Sequence, residues 1–526
     1  MPPALRRIAL DDAILAAALA LGACSGGGGG GASTAPTLPP AVPPGQVSSA
    51  SPFPAGCGGS GGTLYVNAEV EPHVAVNPAN PSQFLGAWQQ DRWSNGSSRG
   101  IVAGVSQDGG ATWTLRALPF SQCAGGGFER ATDPWVTFSP DGTAYAMALG
   151  STGGTFGSQS SNAMLVVRSA DGGRTWGEPV PLIIDGPSFF NDKNTITADP
   201  ADSRFVYATW DRLSQAGGGP AYFARTADGG ASWEAARAIH DPGVNSQTVG
   251  NLIVVLSDGT LVNVFTQIDS PPGQAQSAFV SAMRSFDRGQ TWSAPVRVAE
   301  LLPVGARDPD TLAGIRDGAI LPQAAAGPGG SLAVVWQDAR FSEGARDGIA
   351  FSRSVDGGLT WSAPVRVNSN PAVVAFTPSV HVRADGTIGV AYFDLRDNTP
   401  DPTTLPTGYW LALSGDGTTW SETRLAGPFD LDIAPNAGGL FLGDYMGLAS
   451  SGASFLSLHT RTTGELTNRT DVFALLAAGA PSSHYAAAKA GLTAPTLELR
   501  ARVSENIARV LERRMHARSG PQTPAP

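Results

Sequence analysis

Lysine is almost missing from this chain. Lys193 and Lys489 are the only two in 526 residues, and charged residues of all kinds make up 15%. Long exposed helices draw on Ala, Leu, Glu and Lys for their surfaces, so a mainly helical architecture is excluded except near the two ends. Arginine carries nearly all the positive charge, yet the formal net charge is −10. That balance argues against a nucleic-acid partner, because binding phosphates requires a basic surface. The six histidines are scattered and the cysteines number three. No zinc-ligand spacing, Ser-His-Asp constellation or phosphate-cradling loop is visible. What the chain has in quantity is glycine, 66 residues. Together with Asp, Ser and Thr this suits many short strands joined by tight turns.

The two ends differ from the middle. Arg6 and Arg7 precede an apolar run from Ala13 to Leu21, the pattern of an export signal and too short to span a bilayer. The run closes with Leu21-Gly22-Ala23-Cys24, which resembles a bacterial lipobox; the resemblance implies that Cys24 becomes the lipidated first residue of an exported, membrane-anchored lipoprotein, periplasmic or at the cell surface. Residues 25–60 are rich in Gly, Ser, Pro and Ala and read as a flexible linker. An exported chain meets an oxidising compartment, so a bond between Cys57 and Cys123 is open but not established by two cysteines alone. At the other end, Leu499, Val503, Ile507, Val510, Leu511 and Met515 recur at helical spacing, with five arginines between Arg500 and Arg514. They predict a helix over 496–516, either packed with a solvated basic face or directed to a membrane surface or partner.

The middle repeats. Six segments share Ser/Thr-x-Asp-x-Gly-x-Thr/Ser-Trp: Ser106 to Trp113, Ser169 to Trp176, Thr226 to Trp233, Ser285 to Trp292, Ser354 to Trp361, and Ser414 to Trp420, one residue shorter. In such a turn the Asp accepts hydrogen bonds from backbone N–H groups, Gly supplies a positive φ, and Trp begins the next strand. An apolar run that reads as an inner strand lies 32 to 36 residues ahead of each turn, near Pro72, Pro134, Asn194, Gly250, Gly318 and Pro378. Second strands follow, as at Phe205 to Trp210 and Leu332 to Trp336, and third and fourth strands flank each turn. Four antiparallel strands per repeat make a propeller blade.

These turns are similar to the Asp-boxes, or BNR repeats, of the sialidase family. The expected fold is an all-β propeller over 61–480, followed by a C-terminal helix and tail over 481–526. A further inner strand near Tyr445, with Thr63 to Val66 as the closing outer strand, makes seven blades. Sialidases have six, which is the alternative.

One end of the blades gathers the charge. Second strands end in Trp88-Gln-Gln-Asp91-Arg92-Trp93, Trp210-Asp211-Arg212, Trp336-Gln-Asp338-Ala-Arg340 and Phe393-Asp394-Leu-Arg396. Inner strands start with Glu69 and Glu71, Asp133, Asp192 and Lys193, Arg316 and Asp317, and Asp444-Tyr445. Two readings stand. The Asp–Arg pairs tie adjacent blades together, or they line a pocket for an acidic or hydroxyl-rich ligand. Arg92, Arg212, Arg340, Arg396, Asp91, Asp211, Asp338, Asp394 and Trp93 are then the substrate-binding set. The sialidase resemblance implies a tyrosine nucleophile activated by a glutamate, an aspartic acid as acid/base, and an arginine triad. Here Tyr445, Glu71 and Asp133 match those roles by residue type and position in the blade. The Arg-Ile-Pro signature of sialidases is absent. The expected function is sialidase-like hydrolysis of a terminal acidic sugar. The alternatives are a non-catalytic glycan- or protein-binding propeller and a polysaccharide lyase. No cofactor is implied; calcium among these carboxylates is left open.

Anchoring rests on acyl chains, since the apolar run is removed on processing. Cys24→Ser is therefore expected to shift the protein from the membrane fraction to the soluble exported fraction, read by fractionation and immunoblot; unchanged retention counts against the lipobox.

Overall fold

Tight turns between short apolar runs let each strand pair with the next. In the computed structural model, residues 45–272, 276–479, 484–489 and 495–515 are described. Cys24, the export signal and linker residues 25–44 lie outside the described residues. Arg130–Phe138, Ala144–Thr152, Ser161–Ser169 and Val180–Asp185 pair antiparallel in chain order. The same meander recurs from Leu64, Phe189, Gln247, Gln323 and Ala375, and a three-stranded one from Gly447, giving seven among the described residues. All seven inner strands line one channel, a cavity of ≈ 380 Å³ whose wall includes His73, Trp135, Ile196, Leu252, Ala324, Val380 and Ala449. Sheets arranged radially about a channel form a β-propeller. The core lies between neighbouring sheets, where second-strand aromatics Trp88, Trp210 and Trp336 are fully buried. Each contributes about 2–3 kcal/mol by leaving water.

The six repeated turns are built alike. The Asp356 carboxylate accepts from the Thr360 N–H at 2.9 Å, the Thr360 hydroxyl at 2.6 Å and the Leu359 N–H at 3.0 Å, while the Ser354 hydroxyl accepts from the Gly358 N–H at 2.8 Å. Hydrogen bonds from Thr360 hold that carboxyl down at about 2. The glycine of the turn is required by packing as well as by φ. At Gly289, with φ 84°, a Cβ would sit 2.4 Å from the Phe223 ring of the preceding unit. These turns lie beside the starts of second strands, where Phe84 pairs with Ser106, and so at the end opposite Arg92. Their aspartates are occupied in holding the turn.

Two expectations are corrected at the N-terminal side. Residues 63–66 do not close the ring: Leu64 and Tyr65 pair with Trp93 and Arg92, extending the first inner strand along its own neighbour. The outer edge of Asn468–Ala478 is covered instead by 45–48, with the Val47 N–H donating to Val472 O at 2.8 Å and the Ala474 N–H to Gly45 O at 2.8 Å. Covering that edge removes an unpaired row of backbone groups. Residues 45–60 are consequently a packed strap and not linker. Val47 and Phe53 are buried with Trp88, Leu456, Leu458 and Val472, and Cys57 is bonded to Cys123.

At the other end, 485–486 and 488–489 add short strands to the outer edges of the sixth and fifth units. They lead to a helix, Leu497–Met515, whose Leu499, Val503 and Ile507 are buried with Val249, Leu301, Leu302, Ile320 and Leu321. No helix among the described residues is long and apolar enough to cross a membrane.

Truncating a fully packed phenylalanine costs about 3–5 kcal/mol. Phe53→Ala is thus expected to destabilise the protein by roughly that amount in denaturant unfolding, whereas a phenylalanine in a solvated linker would leave the midpoint unmoved.

Candidate functional site

Five inner strands slip register at the same depth, and the residue at each slip has a positive φ: Glu71 at 54°, Asp133 at 54°, Lys193 at 51°, Gly250 at 67° and Thr377 at 49°. For residues other than glycine this left-handed conformation costs about 1–2 kcal/mol. Pro72, Pro134 and Pro378 follow three of them and disfavour the right-handed helical alternative at the residue before. The bulges bring together charges from separate units. The Lys193 ammonium lies 2.7 Å from Asp444, 3.7 Å from Glu71 and 3.7 Å from Asp133. Asp444 also accepts two bonds from Arg316, at 3.1 and 2.8 Å. The chain before Asp444 runs so close to the first bulge that a Cβ on Gly443, φ 147°, would lie 2.9 Å from the Glu71 Cα.

Burial pushes the Glu71 carboxyl up to about 8, against the pull of Lys193 and with the push of Asp133 and Asp444. Burial raises Asp444 as well, but there Arg316 and Lys193 overrule it and hold the carboxyl well below the usual range. The Lys193 ammonium is held charged by Asp133, Asp444 and Glu71 in spite of its burial. Glu71 accepts from the Gln89 amide and, at 3.2 Å, from the Asp444 N–H. Arg92 lies over Phe441 at 4.8 Å and donates to Gln89 Oε1 at 2.6 Å.

Above this cluster is a cavity of ≈ 90 Å³ lined by Arg92, Asp133, Asp192, Lys193, Arg316, Asp317 and Asp444 from the propeller, and by Val510, Arg513 and Arg514 from the C-terminal helix. Arg514 is buried, its Nε 2.6 Å from Asp192 and its Nη2 2.9 Å from Asp211, both of the third unit, while its Nη1 donates to Gln247 Oε1 of the fourth at 3.2 Å. The helix therefore covers the channel mouth, and its basic side is in part buried.

The sequence-derived residues divide. Glu71, Arg92 and Asp133 come together at the mouth, and Asp211 is reached by Arg514. Arg212, Arg340 and Arg396 do not line the cavity. Arg212 pairs with Asp185 at 2.7 Å over the Phe189 ring; Arg340 pairs with Asp338 at 2.7 Å; Arg396 pairs with Asp394 at 2.6 Å and Glu422 at 3.0 Å. For Arg340 and Arg396 a carboxylate two residues upstream captures the guanidinium before it can reach the axis. The four second-strand arginines are therefore not a convergent set, and Asp338 and Asp394 serve these local pairs. Asp91 fastens the N-terminal strap, accepting from Ser51 at 2.6 Å, the Asn67 N–H at 2.8 Å and Arg99 at 3.2 Å. Trp93 packs under Arg130, 4.1 Å away. Tyr445 is buried against Trp135, and its hydroxyl donates to Pro134 O at 3.0 Å, with no bond to Glu71. Burial pushes that hydroxyl well above its usual range.

Lys193, Arg316 and Asp444 stood out in the sequence as inner-strand starts without a role, although one of only two lysines was itself a signal. Arg513 and Arg514 belonged to the basic face of the expected helix, and nothing in the sequence directed them to the mouth. Among the described residues no group of three or more His, Cys, Asp or Glu is arranged to hold a metal ion.

No family model and no curated protein matches this chain. Solved structures do resemble it. A protein of unknown function from Dyadobacter fermentans is 16% identical, covering 78% of this chain and 94% of its own, with a TM-score of 0.44. The Hadza microbial sialidase is 18% identical, covering 62% and 63%, at 0.40. The GH93 alpha-L-arabinofuranosidase of Fusarium graminearum is 14% identical, covering 62% and 88%, at 0.41. The chain thus spans less than two thirds of the sialidase's length.

A carboxyl whose pKa rises on folding adds stability below its unfolded value that is lost as pH climbs through the folded one. For Glu71 that window runs from the ordinary glutamate value of about 4.5 to about 8. The melting temperature of the wild type is expected to fall between about pH 5 and about pH 8, and to fall less in Glu71→Gln. Equal falls in both proteins would show that this carboxyl does not titrate in the window.

Proposed function

We propose that the channel mouth is a carbohydrate site that takes the acidic end of a glycan, in a sialidase-like glycoside hydrolase. One observation carries the reading: Glu71, Asp133 and Lys193, from three separate units, each adopt a left-handed backbone and meet at one point on the axis. Strain repeated at equivalent places and focused on one cluster is characteristic of functional sites. The chemistry agrees. Glu71 is held protonated near neutral pH while its neighbour Asp444 is held ionised, and carboxyls with pKa values pushed apart are what acid–base division of labour requires. Asp133 lines the cavity and is the carboxyl placed to meet a ligand, and Arg92 offers a guanidinium to an acidic substituent. Export and anchoring through Cys24 belong to the same proposal and place the substrate outside the cytoplasm.

A second reading, a binding propeller without catalysis, is favoured by Tyr445. Its hydroxyl is donated to Pro134 O, so the residue that resembles a sialidase nucleophile is turned away from Glu71.

Fluorogenic sialosides and glucuronides, assayed with the full chain, together with calorimetric binding of the same sugars, separate the two. Hydrolysis is expected, with a loss of about a hundredfold or more in Asp133→Asn. Binding without turnover selects the second reading, and neither binding nor turnover removes the carbohydrate site.

A further inference from the structure

Among the described residues, two guanidinium groups at the mouth have no carboxylate partner. Arg316 is paired with Asp444, and Arg514 with Asp192 and Asp211. Arg92 and Arg513 line the same cavity of ≈ 90 Å³, and among the described residues neither forms an ion pair. Arg92 donates through Nη1 to Gln89, while its buried Nε meets no acceptor. Arg513 donates through Nη1 to Gly438 O at 2.9 Å and makes no other hydrogen bond among the described residues. Both stand close enough to Arg316 that, after burial itself, its like charge is the next influence disfavouring their charged forms. Glu71, Asp444 and Asp133 offset part of this for Arg92, and Asp317 and Asp444 for Arg513, but among the described residues no carboxylate bonds to either guanidinium, and a buried cation without a bonded counter-charge costs several kcal/mol. A fold that pairs the adjacent arginines and leaves these two unpaired, facing one cavity, has the composition of an anion site.

We propose that Arg92 and Arg513 form a two-sided seat for an oxyanion, a carboxylate or a sulfate, so that the C-terminal helix is a wall of the ligand site and supplies one of its binding side chains. The proposal rests on the reading of the mouth as the ligand site. Both sides of the seat are fixed. Arg92 lies on Phe441, which also carries Arg316 on its ring at 4.1 Å. Arg513 is held in register by the neighbouring Arg514, locked between Asp192 and Asp211, and by Asn506, about two turns earlier, which donates to Pro303 O at 3.3 Å. The cavity is well below the roughly 300–1,000 Å³ of a site for a whole small molecule. With the helix seated it admits an acidic head group and leaves the rest of a glycan outside. The helix thereby selects for a terminal acidic substituent.

The test is calorimetric titration of the full chain with glucuronate, N-acetylneuraminate and inorganic sulfate. The proteins are the wild type, Arg92→Gln, Arg513→Gln and, as a control on the same helix, Arg500→Gln, whose side chain pairs with Glu300 away from the mouth. Arg92→Gln and Arg513→Gln are each expected to weaken anion binding about tenfold or more, and Arg500→Gln to leave it unchanged. Loss in Arg92→Gln alone overturns the role of the helix and leaves the mouth as the ligand site. Sulfate binding that depends on both arginines, without sugar binding, supports the seat and overturns the carbohydrate reading. No binding of any anion overturns both. If Arg513→Gln lowers the melting temperature, Arg513→Lys decides: a folded protein with reduced affinity supports the seat, because lysine lacks the planar fork, and an affinity equal to wild type overturns it.

Discussion

The ammonium of Lys193 holds three carboxyl groups, from the first, second and last units of the ring, around one point on the channel axis. Neutralising it would leave the three carboxyl groups facing one another in a buried space without the cation that joins them, and that pairing is the constraint on which the rest of the mouth depends. Asp444 is kept ionised because Lys193 and Arg316 both face it, and Glu71 is kept protonated because Lys193 and Arg92 do not fully offset its burial and the push of Asp133 and Asp444. The cluster is stable as a network and unstable in part, as buried charges generally are.

The geometry that permits it is in the backbone. A strand without a bulge alternates its side chains between the two neighbouring sheets, and none points along the axis. One extra residue with a left-handed φ breaks the alternation and turns a side chain inward. The same device in five of the seven units produces a set of inward positions, Glu71, Asp133 and Lys193 on one side of the channel and Gly250 and Thr377 on the other. The asymmetry is consequential. The charged side of the ring carries the cluster, and the C-terminal helix packs with Val249, Ile320 and Leu321 near the uncharged side.

The helix ties the C-terminal end of the chain to the channel mouth. Its apolar stripe is ordinary packing, but Arg514 is sequestered between Asp192 and Asp211, whose carboxyl burial alone would push well up and which even so stands at about 7. An appended segment thereby becomes part of the propeller's electrostatics.

The alternating runs, the six turns with their Asp and Trp, and the helical spacing near the C-terminus follow from local preferences, and the sequence determined them by itself: an all-β propeller with a terminal helix was legible. Local pattern also marked the charged end of the blades. The tertiary structure alone decided which charges meet. Arg340 and Arg396 are captured by aspartates two residues away, Tyr445 turns to Pro134 O, and the strap at 45–48 takes the sheet edge expected for 63–66. Arg513 and Arg514 reach the mouth from the far end of the chain. Periodicity fixes how a strand or helix presents its faces. Convergence on the axis depends on register slips and on long-range closure, which no window of neighbouring residues contains.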